Sequence, residues 1–277
     1  MKKGFLTVVV VASLLICSAT STQAALVGSY SFDEGAGTTV GDASGNGNNG
    51  TIANLRADTW ATGHTGGGMY FPGIKGSGAT YVNLGNPGSF QLTSAFTFSA
   101  WVHCTAPNTD APILAKEGPT GGISYWFGVF YNGFGTLVDH NGIQSWDVQA
   151  RNVPGSDWDQ WHHLAATWDG ATLNQYLDGN LVDTRGVSGS LFNTSESLTI
   201  GANSGYTYEG HVWSTAFTGT LDDIHIYDTA LSASGINADM YSAVPAPAAV
   251  WLLGSAVAAW VGAMRRRKNV KPANRHG

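Results

Sequence analysis

The sequence predicts an all-β protein whose strands form a two-sheet antiparallel jelly-roll sandwich. Short runs rich in aromatic and β-branched residues recur along the chain and are separated by Gly, Asn and Asp, the pattern of strands joined by turns. Charged residues make up only 12% of the 277 residues, and 37 residues are Gly. Two Asp-Gly dipeptides, Asp169-Gly170 and Asp178-Gly179, mark successive hairpins. Many short strands at this spacing are typical of a sandwich or jelly roll.

The first 24 residues are predicted to be a secretory signal peptide. Lys2 and Lys3 give the basic start, residues 5–17 are apolar, and Thr22-Gln23-Ala24 is a small-residue cleavage site. Without this segment and the C-terminal residues 244–277, residues 25–243 remain as one mature β domain. Because Cys104 is then the only cysteine of that domain, no disulfide within it is expected.

The predicted strands follow one another through this domain, with a short helix at residues 229–240 after the last strand. The segment 95–103 alternates so that Phe96, Phe98, Ala100 and Val102 share one face, which predicts a strand with one side in the core. The strands predicted in chain order cover residues 26–32, 95–103, 124–131, 162–168, 172–177, 180–183, 197–201 and 217–227.

Charge is partitioned between the ends and the middle of the chain. All 19 acidic residues lie between Asp33 and Asp239, whereas only five of the 13 basic residues lie in that region, so the domain carries a net charge of −14. Such a domain is a poor partner for nucleic acid or for an anionic membrane surface. Basic ends around an acidic middle indicate that the middle is exported.

The C-terminal residues 244–277 are predicted to form a sorting signal. Pro245 and Pro247 interrupt the chain before residues 248–264, which are uncharged and predict a transmembrane helix. A basic cluster follows, and it would remain in the cytoplasm: Arg265, Arg266, Arg267 and Lys268.

This ending resembles the PEP-CTERM sorting signal in its VPxP form, through Val244-Pro245-Ala246-Pro247 and the Trp-containing apolar helix that follows. The resemblance implies a Gram-negative bacterium that makes exopolysaccharide, and processing near the motif by an exosortase-type protease after signal peptidase has acted. Ala246 stands where the signal usually has Glu.

The domain itself resembles the laminin-G-like, concanavalin A-like lectin/glucanase family. The resemblance implies two antiparallel sheets with the terminal strands side by side. It also implies a sugar-binding or adhesion domain, or, in a minority of members, a glycosidase. The segments that carry the resemblance, in the order of the family's strands, are residues 29–51, 95–102, 161–170, 176–182, 198–203 and 217–232.

One loop, residues 42–50, has oxygen-bearing side chains at alternate positions, a pattern that suits calcium. The family resemblance implies that this loop lies beside the acidic pair of the last strand, where the two share a structural calcium ion. The alternative is a metal-free turn, because Asn and Gly tolerate left-handed backbone angles. The predicted ligands are Asp42, Asn46, Asn48, Asp222 and Asp223.

The tryptophans are candidates for contact with sugar rings, since exposed aromatic rings stack on them. Trp101, Trp161 and Trp168 fall in strands that form the core in the family, and we predict core positions for them. For four others, the sequence is compatible with either core packing or glycan contact: Trp126, Trp146, Trp158 and Trp213.

Catalytic motifs do not occur in this sequence. Retaining glucanases of this fold carry paired carboxylates as E-x-D-x-x-E, and no such run is present. We therefore predict a non-enzymatic protein of the cell surface or extracellular matrix that recognises polysaccharide. The alternatives are a glycoside hydrolase or lyase with an unrecognised site, and a purely structural surface protein.

Overall fold

A computed structural model of the chain describes residues 24–107, 110–118, 122–130, 133–139, 158–203, 206–208, 211–213 and 215–242. Residues 1–23 of the predicted signal peptide, Trp146 and the predicted sorting signal from Val244 lie outside these residues. No helix of the described part is long and apolar enough to span a membrane. For the strands around residues 206–213, only the backbone path is described.

Almost all regular structure in the described residues is β-strand. The one α-helix of the described residues, α1, runs from Ala233 to Met240, four residues shorter at its start than the predicted helix. The strands, in chain order, are β1 (Leu26–Tyr30), β2 (Thr39–Val40), β3 (Gly50–Ala53), β4 (Trp60–Thr62), β5 (Gly67–Pro72), β6 (Tyr81–Asn83), β7 (Phe96–Cys104), β8 (Ala111–Glu117), β9 (Ile123–Phe130), β10 (Gly133–Val138), β11 (His162–Trp168), β12 (Thr172–Leu177), β13 (Asn180–Gly186), β14 (Thr199–Ile200), β15 (Tyr206–Tyr208), β16 (His211–Trp213) and β17 (Thr218–Tyr227).

Two antiparallel sheets form a sandwich, which confirms the predicted fold class. The first sheet has the order β13-β12-β11-β7-β17-β5-β4, and β1 pairs with the second half of β17. The first and last strands therefore lie side by side. The second sheet has the order β10-β9-β8-β14-β6-β3-β2, and β15 pairs with β16 as a separate hairpin.

The core lies between the two sheets, and strand alternation selects the residues that enter it. On β7, Phe96, Phe98, Ala100 and Val102 are fully buried, as the alternation predicts. Phe98 packs against Tyr125 of the second sheet with ring centroids 4.9 Å apart. Burial of these large aromatic side chains is the main source of stability for a sandwich that has no disulfide in the described region.

The two Asp-Gly turns differ from each other. Between β12 and β13, Asp178 and Gly179 both have positive φ (49° and 75°), as a two-residue type I′ turn requires. Between β11 and β12, the N–H of Asp169 donates to the carbonyl of Thr172 (3.3 Å). Gly170 (φ 90°) is therefore the first residue of that turn. The sequence had predicted that it would be the second.

Helix α1 covers part of the first sheet on the face turned away from the core. Ser232 caps its first turn by accepting a hydrogen bond from the N–H of Gly235 (3.2 Å). Near its end, the buried carboxylate of Asp239 accepts hydrogen bonds from Ser99 of β7 and from the His225 ring of β17 (2.5 and 2.8 Å). These bonds to two neighbouring strands fix the helix on the sheet.

Candidate functional site

A pocket of about 400 Å³ lies on the outer face of the second sheet, the face turned away from the core. Cross-strand pairing builds it, because Thr51 lies opposite Asn83 and Ala53 lies opposite Tyr81. Ile52, between the two β3 residues, belongs to the core cluster, so alternation turns its neighbours outward. The pocket lining therefore comes from the adjacent strands β3 and β6 and from the loops that continue them.

The lining of this pocket is uncharged and combines polar with apolar side chains. Asn49, Thr51 and Asn83 offer amide and hydroxyl groups at its rim, and the half-buried ring of Tyr81 supplies an aromatic surface. The Oδ1 atom of Asn83 accepts the N–H of Gly85 (2.8 Å), which fixes the orientation of its amide. Rings flanked by amides and hydroxyls match the apolar faces and hydroxyl edges of sugars.

Sequence reasoning did not find this pocket, because none of its residues is a tryptophan or an acidic residue. The alternation of Tyr81 and Asn83 in a short strand is the only signal for it in the sequence. The two candidate tryptophans with described side chains lie elsewhere. Trp126 is 5% exposed in a small cluster with Ala115 and Ile123, and Trp158 is 6% exposed in the main core.

This burial favours core packing over ligand contact for Trp126 and Trp158, because stacking on a sugar needs an exposed ring face. Trp146 lies outside the described residues, and the side chain of Trp213 is outside them although its strand, β16, is described.

The core prediction is correct for Trp168, which is fully buried, and wrong for Trp101 and Trp161. Trp101 alternates with the core residues of β7, so it lies on the outer face of the first sheet. There the His64 ring stacks on it, with centroids 3.5 Å apart and planes 8° apart. Trp161 meets His64 edge-on at 5.9 Å.

Hydrogen bonds within the predicted calcium loop, and from the loop to β1, hold its side chains in place. The Oδ1 atom of Asp42 accepts the N–H groups of Ser29 and Ser44 (3.0 and 2.9 Å), and its Oδ2 accepts the N–H of Asn48 (2.9 Å). The side-chain amide of Asn46 donates to the carbonyl of Leu26 (2.8 Å). The carboxylate is thus occupied by three backbone donors, an arrangement that fits a metal-free turn.

In the acidic pair of β17, Asp222 also accepts hydrogen bonds from backbone N–H groups. Asp222 is fully buried and accepts the N–H groups of Thr65 and Asp223 (3.0 and 2.8 Å). Burial raises the pKa of Asp222 to about 7, against the lowering effect of these hydrogen bonds. Burial also raises the pKa of Asp223, which has a positive φ (42°) at an irregularity in β17.

The described residues contain no group of three or more His, Cys, Asp and Glu placed to hold a metal ion. Asp42 and the pair Asp222 and Asp223 are therefore not brought together in such a group. Asn48, the remaining predicted ligand, is buried and donates to the carbonyl of Val27 (2.7 Å). These hydrogen bonds favour the metal-free turn, and calcium binding at these residues stays a prediction from the sequence.

Glu117 is a buried carboxyl group that the sequence did not single out. Glu117, at the end of β8, is 3% exposed, and burial raises its pKa to about 7, while a hydrogen bond with Asn203 opposes the rise. A protonated carboxyl group at neutral pH is a donor as well as an acceptor. An isolated Glu in a strand carries no sequence signal for such burial.

Residues 76–237 match the family described as the concanavalin A-like lectin/glucanases superfamily. Among solved structures, domain 4 of AbnA, an extracellular GH43 arabinanase from Geobacillus stearothermophilus, in complex with arabinotriose, is similar to this chain. The two are 22% identical with a TM-score of 0.51, and the match covers 78% of this chain and 98% of that domain.

Two toxin structures are also similar in fold. The binding domain of Paraclostridial Mosquitocidal Protein 1 is 13% identical (TM-score 0.56), and the match covers 77% of this chain and 51% of that one. The binding domain of botulinum neurotoxin DC, in complex with SialylT, is 13% identical (TM-score 0.55), with 77% and 50% covered. This chain therefore spans about half of each toxin chain, and these likenesses show the fold alone.

Proposed function

The chain belongs to the concanavalin A-like lectin/glucanase superfamily, and on that basis we propose that it is a carbohydrate-binding protein whose site is the pocket on β3 and β6. The observation that carries the proposal is the uncharged lining of that pocket, with the Tyr81 ring beside the side chains of Asn49, Thr51 and Asn83. The arabinanase domain with bound arabinotriose supports it, since the match covers 98% of that domain.

The ligand class that this site favours is a neutral polysaccharide. The Tyr81 ring would stack on one face of a sugar, and the flanking amides and hydroxyl would bond its hydroxyl groups. A charged sugar would find no charged partner in the pocket lining. The net charge of −14 over the domain would also repel anionic polymers such as those rich in uronic acids.

The test is calorimetric titration of the full-length chain with neutral and with uronic-acid-containing oligosaccharides. We expect binding of at least one neutral glycan, and a loss of about tenfold or more in affinity for Tyr81→Ala and for Asn83→Ala, since each removes a central contact. Tyr241→Ala is the matched control, because Tyr241 is 78% exposed and does not line the pocket. Unchanged affinity in both pocket variants would contradict the site.

The same incubations distinguish the rival functions. We propose binding without cleavage, so the oligosaccharides should be recovered at their original length. Shortened products would indicate a glycoside hydrolase or lyase. Failure to bind any glycan, while the protein still enters the matrix, would favour a purely structural role.

The proposed place of action is the cell surface or the extracellular matrix. The basis is the sequence of the two ends: the signal peptide of residues 1–24 and the sorting signal of residues 244–277, with Val244, Pro245 and Pro247 before the apolar segment. Signal peptidase and an exosortase-type protease are the processing partners that follow from this reading. The basic residues after the segment would hold it in the membrane until then: Arg265, Arg266 and Arg267.

A further inference from the structure

Strand β13 forms one edge of the first sheet, and within the described residues it pairs with β12 alone. Nearly all of its residues are exposed. Leu181 and Val182, both apolar, are 54% and 44% exposed. An exposed edge of this kind presents unpaired N–H and C=O groups and invites pairing with another strand.

The hydrogen bonds of β13 show which of its residues face outward. Val187, just after the strand, donates its N–H to the carbonyl of Ala171 (2.7 Å) and so faces β12. In an antiparallel pair, alternate residues face the partner strand. Arg185 therefore also faces β12 with its backbone groups, whereas Thr184 and Gly186 direct their N–H and C=O groups to the open edge.

Charged side chains flank Thr184 on both sides. Asp183 and Arg185 form an exposed ion pair within the strand (Oδ2 to Nε, 3.3 Å), with side chains 30% and 44% exposed. A two-fold axis through Thr184 would set Asp183 of one copy opposite Arg185 of the other, twice. These would be non-hydrogen-bonded pairs, in which opposing side chains approach most closely.

The two registers centred one residue away from Thr184 place like charges together. An axis at Asp183 would oppose two Asp183 side chains, and an axis at Arg185 would oppose two Arg185 side chains. A bulge between Gln175 and Tyr176 ends the regular part of the β12–β13 ladder at Asp183. The charges therefore select the register centred on Thr184 from the regular stretch that remains.

The same register also provides space for an apolar contact. It brings Val182 of one copy, at the bulge, close to Gly186 of the other, and a Cβ at Gly186 would meet no atom within 4 Å. The exposed Val182 side chain would thus pack over a glycine of the neighbouring chain. Hydrogen bonds at Thr184, two ion pairs and two Val–Gly contacts together make this edge self-complementary.

We propose that the chain forms a two-fold symmetric dimer by antiparallel pairing of β13 about Thr184, which joins two eight-stranded sheets into one continuous sheet. The occupant of the edge is a second copy of this chain, because the charge pattern complements itself. The dimer would carry two pockets, since these lie on the other sheet. It does not depend on what those pockets bind.

The test is sedimentation velocity of the full-length chain in one mild detergent over a range of concentrations. We expect concentration-dependent dimers of the wild-type chain. Asp183→Arg and Arg185→Asp should each weaken dimerisation about tenfold or more, because each replaces opposite charges by like charges. An equimolar mixture of the two variants should recover dimers, since each then meets its complement. The double variant Asp183→Arg/Arg185→Asp should also recover them.

Cysteine crosslinking gives a second measurement that does not depend on charge. Thr184→Cys should form a disulfide-linked dimer under mild oxidation, because the paired Cα atoms at the axis lie about 5.5 Å apart. Thr62→Cys is the matched control, since Thr62 is exposed on β4 at the opposite edge of the same sheet. Wild-type protein that stays monomeric, variants that associate like wild type, or equal crosslinking at both sites would each overturn the proposal.

Discussion

At the scale of single residues, burial controls the chemistry of the carboxyl groups. Glu117 and Asp222 are nearly or fully buried, and burial raises the pKa of each to about 7. Each would hold a proton in the folded chain at a pH where the unfolded chain has released it. Folding stability is therefore linked to pH through these two groups.

For Glu117, the sign of this linkage follows from the raised pKa. Between pH 4.5 and about 7 the folded chain binds a proton that the unfolded chain releases, so the free energy of unfolding falls as pH rises through this window. We expect Glu117→Gln to remove a part of that decline on the order of 3 kcal/mol at most, because each pKa unit corresponds to about 1.4 kcal/mol.

The measurement is denaturant unfolding of wild type and Glu117→Gln at several pH values between 4 and 8. Glu34→Gln is the control, since Glu34 is exposed. Its stability should follow that of the wild type in pH dependence. Parallel pH profiles of Glu117→Gln and wild type would contradict the assigned shift.

At the scale of elements, alternation and turn chemistry account for much of what the sequence predicts. The burial of alternate residues on β7 and the type I′ turn at Asp178-Gly179 are local properties, so local sequence is enough to predict them. The predicted core position of Trp101 was wrong because it followed the family resemblance, whereas alternation along β7 places Trp101 on the outer face. His64, which stacks on it, comes from a distant hairpin that local pattern cannot place.

The loop of residues 42–50 gives a prediction at this scale. Asp42→Ala removes the acceptor of three backbone N–H groups, and we expect a loss of roughly 3 kcal/mol in the free energy of unfolding. Asp42→Asn, which keeps one carbonyl oxygen, should lose less. Because these donors occupy the carboxylate, thermal melts in EDTA and in millimolar calcium should superimpose.

A calcium-induced rise in the melting temperature that Asp42→Ala abolishes would contradict the metal-free reading of this loop. It would support the calcium site expected from the sequence at Asp42, Asn46 and Asn48.

At the scale of the whole molecule, the order of strand signals was sufficient to predict the sandwich, whereas the pocket could not be predicted. Its lining forms only when β3 and β6 pair and set Thr51 beside Asn83. Neither residue type is distinctive in the sequence. The sequence instead predicted site residues among the charged and aromatic side chains, such as Asp42 and Trp126. In the structure Asp42 accepts backbone hydrogen bonds and Trp126 packs in a hydrophobic cluster.

The ends of the chain give a prediction of location. Deleting residues 244–277 should abolish retention in the membrane fraction of the native host, because the apolar segment and its basic stop are removed. Mass spectrometry of protein released from the surface should show a C-terminus near Val244. Extracellular protein that ends at Gly277 would contradict the processing, and unchanged membrane retention of the truncated chain would contradict the anchor.

The central claim is that a neutral glycan binds on the outer face of the second sheet. Its most direct test is hydroxyl-radical footprinting of the full-length chain with and without a neutral oligosaccharide that binds it. We expect the ligand to protect Tyr81 at the pocket and to leave the half-exposed Trp101 and Trp161 of the first sheet unchanged. Protection of Trp101 and Trp161 with Tyr81 unaffected would place the site on the opposite face and contradict this account.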